Sequence, residues 1–220
     1  MLANNPFIVI TSTGREIVVD RIKEKVELQL HINTAINQGG LIILKGDPGV
    51  GKSTLLNWIL LDLKNKGDLL VVKDDFTPSI YNKLRTVSLP QGKKMLVMLD
   101  DFNNIELLDK SGQSKIIKLI SELSLRVGVL LIENRKEGVE KDFKALGHKF
   151  VKFELKGLSH DDLEKLIINR LNSSRDVPTE QLDPFTADEF EKIYKKSLGN
   201  ARIALLICAT LFDQKQTSLI

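Results

Sequence analysis

The chain has 220 residues, 42% apolar and 28% charged, and its 32 lysines and arginines against 29 acids leave a net charge of +3. These numbers suit one α/β domain, alone or with a small appendage, and they permit contact with nucleic acid without requiring it. No apolar run is long enough for a membrane span. The single cysteine, Cys208, excludes an intrachain disulfide framework and reads as a packed thiol in a reducing compartment. Met1 to Pro6 lacks the charged start and apolar stretch of a signal peptide, so a cytoplasmic protein is expected.

In chain order, Phe7 to Ile10 reads as a short extended segment before a turn at Thr13-Gly14. Ile17, Val18, Ile22, Val26, Leu30 and Ile36 then recur at helical spacing as far as Gly39-Gly40, which predicts a long amphipathic helix docked on the domain. A short apolar strand over 41–45 feeds the loop Gly46-Asp47-Pro48-Gly49-Val50-Gly51-Lys52-Ser53, and a helix pattern runs from about 53 to 66, beginning Thr54-Leu55-Leu56. This is strand, glycine-rich loop, helix, and it fits GxxxxGK[ST]. Glycines let successive N–H groups turn inward around a polyphosphate at the positive end of a helix dipole. Lys52 is expected to reach the β- and γ-phosphates, and Ser53 to give its hydroxyl to Mg²⁺.

Leu69 to Lys73 predicts a second buried strand, Pro78 to Val87 a short helix, and Pro90 to Lys94 a turn. Met95-Leu96-Val97-Met98-Leu99 is a third apolar strand ending in Asp100-Asp101. Acids at the C-terminal end of a parallel strand face the crevice where nucleotides bind. Asp100 there suits Mg²⁺ and Asp101 suits an attacking water, although adjacent aspartates after a strand also serve as turn residues or caps. Residues 103–114 read as a polar loop before a helix marked by Ile116, Ile117, Ile120 and Leu123. A fourth buried strand over 127–132 leads into Glu133-Asn134-Arg135. A short helix near 139–146 and an alternating edge strand over 149–155 follow. Beyond Gly157 only helices are legible, from Ser159, Thr186 and Asn200, and the first two starts carry an acid three residues on. The division expected is therefore 1–156 and 157–220. Arg202 stands in the first turn of the last helix, where the dipole disfavours a cation; it either has an anionic partner or is exposed at a cost of a few tenths of a kcal/mol.

Taken together, GDPGVGKS, MLVMLDD, VLLIEN, FELKGLSHDDLEKLIINRL and PFTADEFEKIYKKSLGNARIAL resemble, in that order, the motifs of AAA+ ATPases. The likeness is nearest to the archaeal origin-recognition initiator clade and its signalling relatives, the STAND ATPases. It implies a P-loop NTPase whose five-stranded parallel sheet has the order 5-1-4-3-2, flanked by helices, with a C-terminal three-helix lid. It also implies ATP, ADP and Mg²⁺ as ligands, with Asn134 as sensor 1 and Arg202 as sensor 2, and it makes Ile10 and Ile17 candidates for adenine contact. Lys52, Asp101, Asn134 and Arg202 would then serve hydrolysis, the loop from Gly46 to Thr54 would hold nucleotide, and Ser53 and Asp100 would hold the metal.

Two departures from the pattern imply slow turnover. Asp101 stands where brisk hydrolases carry glutamate, and no arginine occurs between Glu137 and Lys149, where an intersubunit arginine finger worth ~10³–10⁵ in rate would be expected. A winged-helix DNA-binding domain is not expected after Phe212 in this chain. Three functions are in play. The resemblance implies work on DNA, such as replication initiation, through lysines 83, 93, 94, 115, 118, 141, 144, 149 and 152 with Arg135 nearby. Lysines this scattered, without aromatic platforms, are usually a solvated surface. The alternative is an ATP-held regulatory switch that acts on a protein partner, with a homo-oligomer also open; a small-molecule kinase is a distant third.

Overall fold

The computed structural model describes residues 5–8, 21–64, 68–134 and 138–217. In chain order the elements are α1 (Ile22–Gln38), β1 (Gly40–Lys45), α2 (Lys52–Lys64), β2 (Leu69–Asp75), α3 (Ile80–Arg85), β3 (Lys94–Asp100), a 3-10 helix (Phe102–Leu107), α4 (Lys110–Ser124), β4 (Gly128–Glu133), α5 (Glu140–Ala145), β5 (Val151–Glu154), α6 (His160–Asn172), α7 (Ala187–Ser197) and α8 (Ala201–Thr217). They fall into two compact units. One takes in residues 22–46 and 59–155; the other takes in 47–58 and 156–217 together with Arg21 and residues 5–8.

In the first unit the five strands form one parallel sheet in the order β2-β3-β4-β1-β5. This is the order implied by the sequence resemblance. Strands β1, β3 and β4 read as nearly unbroken apolar runs because they are central: every residue of β4 is buried, and so are five of six in β1. On one face Leu41, Ile43, Val97, Leu99, Val129 and Leu131 pack with Ile80, Phe102, Ile116, Ile120 and Phe143 from the connecting helices. Helix α1 lies against β1, β3 and β4.

Four local expectations are corrected. Residues 5–8 form a turn and not a strand, and Phe7 is buried among the helices of the second unit; residues 9–20, with the rest of that segment, lie outside the described residues. Helix α1 buries Leu28, Ile32, Ala35 and Ile36, whereas Ile22, Val26 and Leu30 are exposed, so most of the stripe read from spacing is the outer one. Two apolar stripes coexist on this helix, and periodicity alone cannot choose between them. Strand β2 is an edge strand with Leu70 41% exposed, not one covered on both faces. Within 103–114, Phe102 and Ile105 anchor the 3-10 helix, and α4 begins at Lys110 because the Asp109 side chain accepts from the N–H of Gly112.

In the second unit α6, α7 and α8 enclose Leu163, Ile167, Phe190, Ile193, Ala204, Cys208 and Phe212, with the Phe7 ring tilted against Phe185 and edge-on to Phe212. Burial pushes the Cys208 thiol up to about 12, which leaves it protonated and unreactive. Helix α7 starts at a complete capping box between Thr186 and Glu189, and α6 at Ser159, whose hydroxyl accepts from the N–H of Asp162. His160 on α6 joins Glu191 on α7 at 2.7 Å and stands edge-on to Phe190 and Tyr194. The Glu191 hydrogen bond raises the imidazole above its ordinary value. Its contribution is therefore full below the unfolded value of about 6.5 and is lost as pH rises through the folded one. Thermal melts of the parent and of His160→Gln should accordingly differ most near pH 6 and converge toward about pH 8. A gap that widened over that range would contradict the sign.

Candidate functional site

The phosphate-loop motif occupies the turn between β1 and α2. Lys52, 8% exposed, is the first residue of α2, and its Nζ donates to the carbonyl of Asp47 at 3.2 Å, so the side chain folds back across its own loop. Within the loop Val50 N donates to Asp47 O at 3.3 Å, and Leu55 N closes the first helical turn on Gly51 O at 2.9 Å. The N–H groups of Gly49 and Gly51 meet no acceptor among the described residues. Two unspent amides at the start of a 13-residue helix, beside a buried lysine, fit an anion with several oxygens. The donor set thus suits a nucleotide polyphosphate, and Ser53, exposed on the next position, offers a hydroxyl of the kind a magnesium ion takes. Asp47, Pro48 and Ser53 are exposed, Gly46, Gly49, Gly51 and Thr54 half-buried, and Val50 buried.

The far side of this loop is gripped by the opening of α8. Asn200 Nδ2 donates to Pro48 O at 2.8 Å, and the backbone N–H of Arg202 donates to Gly49 O at 3.2 Å. The same asparagine caps its own helix, its Oδ1 accepting from Ile203 N at 3.2 Å. Gly49 is indispensable to this approach: with φ +90°, a Cβ there would lie 2.6 Å from Arg202 Cβ and 2.7 Å from Asn200 Oδ1. Arg202 itself is exposed, its stem against Gly49. The structure therefore places the residue beside the phosphate loop while also bearing out the plain expectation of an exposed arginine.

Among the residues that sequence reasoning passed over, Arg21 is the clearest. It is 6% exposed, and its guanidinium donates to Val50 O at 3.1 Å and to Lys156 O at 2.8 Å. In the sequence it looks like one more charge on a solvated helix, and only tertiary structure shows that two carbonyls claim it. Asn200 was visible inside the GNAR run, yet nothing in that run marks it as the residue that reaches Pro48.

The strand ends carry the other candidates, all in the sheet unit. Asp100 ends β3, half-buried, and its Oδ1 accepts from the N–H of Asp101 at 2.9 Å. That leaves its second oxygen for a cation. Asp101 is exposed and left-handed, φ 49° and ψ 37°, with its carbonyl accepting from Asn104 N. Aspartate is one of the few non-glycine residues that adopt this region routinely, through its short polar side chain. Asn134, half-buried, follows directly on β4, and Glu133 before it is fully buried. Strand β4 lies between β1 and β3. Ile10 and Ile17 lie outside the described residues, as does Arg135.

Residues 8–172 match the protein family Novel STAND NTPase 3. The chain belongs to that family. Among individual relatives, this Novel STAND NTPase 3 protein is 25% identical over 187 residues to the lipoprotein-releasing system ATP-binding protein LolD of Rickettsia conorii, covering 80% of the chain and 76% of LolD. Its fold is similar to that of a chain in the structure of Drosophila ORC bound to DNA, at TM-score 0.71 and 16% identity over 100% of this chain. It is also similar to the Aeropyrum pernix ORC1 protein in complex with DNA, at TM-score 0.68 and 14% identity over 98%. The Thermotoga maritima RuvB branch migration motor follows at TM-score 0.58 and 18% identity, over 91% of this chain and 64% of that one. The chain spans 61% and 65% of the two ORC chains. The family and these neighbours agree with the AAA+ and STAND resemblance read from the motifs: the protein is a STAND NTPase with a P-loop NTPase fold similar to that of the ORC chains.

Proposed function

We propose that this protein binds ATP with Mg²⁺ in the phosphate loop, hydrolyses it slowly, and works as a nucleotide-responsive switch. The observation that carries the switch is the double grip of α8 on the loop, Asn200 on Pro48 and Arg202 on Gly49, since whatever reorients those carbonyls is felt in the first turn of α8. Lys52 and the amides of Gly49 and Gly51 hold the β- and γ-phosphates, and Arg202 answers the γ-phosphate. Ser53 and Asp100 are the residues that would hold a magnesium ion, whose charge would offset that of the phosphates. Asp101 receives a proton from a water that attacks the γ-phosphorus as the bond to the bridging oxygen breaks, giving ADP and phosphate. Asn134 orients that water. Residues 157–220 act as the lid, and Ile10 and Ile17 border the adenine.

A role on DNA is the second reading, favoured by the likeness to ORC chains in DNA complexes. Against it, Lys83 pairs with Asp74, Lys94 lies 3.8 Å from Asp68, and Lys152 lies 3.8 Å from both Glu140 and Glu154, so several of the candidate lysines already have local acids.

Equilibrium binding and turnover test the core of this reading. Lys52→Ala should lose about 100-fold or more in ATP affinity, whereas Asp101→Asn should bind as the parent does and turn over roughly 10²–10⁴-fold more slowly. Asp101→Asn hydrolysing at the parent's rate would remove Asp101 from its role. Amide exchange in the first turn of α8 should slow with ATP in the parent and not in Arg202→Ala; equal slowing in both would overturn the switch. ATP-dependent binding to duplex DNA that weakens steeply with salt would favour the second reading.

A further inference from the structure

Two strand ends meet with opposite charges in the interior of the sheet unit. Lys45 is the last residue of β1, next to the glycine that opens the phosphate-loop motif, and it is 3% exposed. Glu133 is the last residue of β4, next to Asn134, and it is 0% exposed. They are Cα partners in the parallel ladder. Lys45 Nζ donates to Oε1 of Glu140, the first residue of α5, at 2.8 Å, and its charge acts on Glu133 as well. Gly138 is the seat of the group: a Cβ there would run into Glu133 Oε2 and come within 2.5 Å of Glu140 Oε2 and 2.9 Å of Lys45 Nζ. One buried ammonium thus bonds one carboxylate and acts through its charge on a second. Lys152 on β5 reaches Glu140 at 3.8 Å from the exposed side.

Burial holds the Glu133 carboxyl above its ordinary range, with Lys45 pulling the other way. At Glu140 burial is the largest influence and raises the carboxyl, but the Lys45 hydrogen bond, its own backbone amide and the charges of Lys45 and Lys152 together outweigh it, and the net shift is downward. Buried ionic groups of this kind are often no better for stability than apolar ones of the same volume, and in some proteins they fix geometry instead. Three elements are tied at one point: the strand entering the phosphate loop, the strand delivering Asn134, and the helix that follows.

We propose that Lys45, Glu133 and Glu140 form a positioning triad that fixes Asn134 relative to the end of β1, and so sets the placement of the water-orienting side chain. The role of Asn134 rests on the function proposed above; the geometric role of the triad does not. Neither Lys45 nor Glu133 is assigned contact with nucleotide.

Two measurements on the full chain test this. Without nucleotide, amide exchange over 131–134 and 138–146 should quicken about fivefold in Glu133→Gln and more in Lys45→Met. Lys45→Arg should stay close to the parent, and α6 to α8 should be unchanged. Glu133→Gln keeps the side chain's shape and leaves no uncompensated charge, so it remains informative if Lys45→Met fails to fold. In turnover, Glu133→Gln should slow hydrolysis about tenfold at unchanged ATP affinity, and the double variant with Asn134→Ala should be no slower than Asn134→Ala alone. Unchanged exchange in folded Glu133→Gln, or effects that multiply in the double variant, would overturn the triad. If the parent neither binds nor hydrolyses ATP, the proposed function fails while the exchange experiment still decides the triad.

Discussion

Gly49→Ala should lose nucleotide binding and several kcal/mol of stability together, whereas Gly51→Ala should lose chiefly the former. Both glycines are left-handed, φ +90° and +102°, so each alanine bears a backbone cost of about 1–2 kcal/mol. At Gly51 nothing lies within 4 Å of the new methyl. At Gly49 the methyl meets Arg202 Cβ at 2.6 Å and Asn200 Oδ1 at 2.7 Å, and relief requires α8 to back away from the loop. That breaks the hydrogen bonds from Asn200 to Pro48 and from Arg202 to Gly49, each worth about 0.5–1.5 kcal/mol. The sum for Gly49→Ala is on the order of 2–5 kcal/mol. Chemical denaturation of both variants alongside nucleotide titration measures the difference; equal destabilisation would mean that the grip on the loop carries no energy.

Lys45→Met should destabilise the fold by about 3–5 kcal/mol at neutral pH, the usual penalty for orphaning a buried ionic partner. The variant leaves Glu133 and Glu140 on either side of Gly138 without the ammonium that acts on both, while Lys152 still lies 3.8 Å from Glu140. Both carboxyls then rise in the folded state above the unfolded value of about 4.3. A folded state that binds more protons than the unfolded one loses stability as pH rises, so the deficit should be smallest near pH 5 and full by about pH 8. Denaturant melts across that range check both the size and the sign. Lys45→Met/Glu140→Gln should recover part of the loss, because one of the two carboxylates is gone.

What the sequence disclosed and what it withheld divide along physical lines. The phosphate loop was legible because few residue combinations let a backbone wrap a polyphosphate, and the central strands because burial on both faces leaves no polar alternation. Strand order was not readable from spacing; it came with the resemblance, and the parallel ladders agree with it. Edge strand β2 misled because Leu69 to Val72 are apolar wherever the strand lies. Helix α1 misled for the opposite reason: Ile22, Val26 and Leu30 repeat as faithfully as the residues it buries. Arg21, Asn200 and the pairing of Lys45 with Glu133 were invisible because each depends on a partner tens to more than a hundred residues away. No local pattern announces a side chain whose whole purpose is a distant carbonyl or an opposite charge.

The left-handed backbone at Asp101 restricts the alphabet of that position. Aspartate and asparagine tolerate the conformation through their short polar side chains, glycine prefers it, and longer side chains resist it. The aspartate found there therefore suits the backbone that it occupies. Glutamate in its place would lengthen the reach of the carboxylate while setting a longer side chain on a left-handed turn.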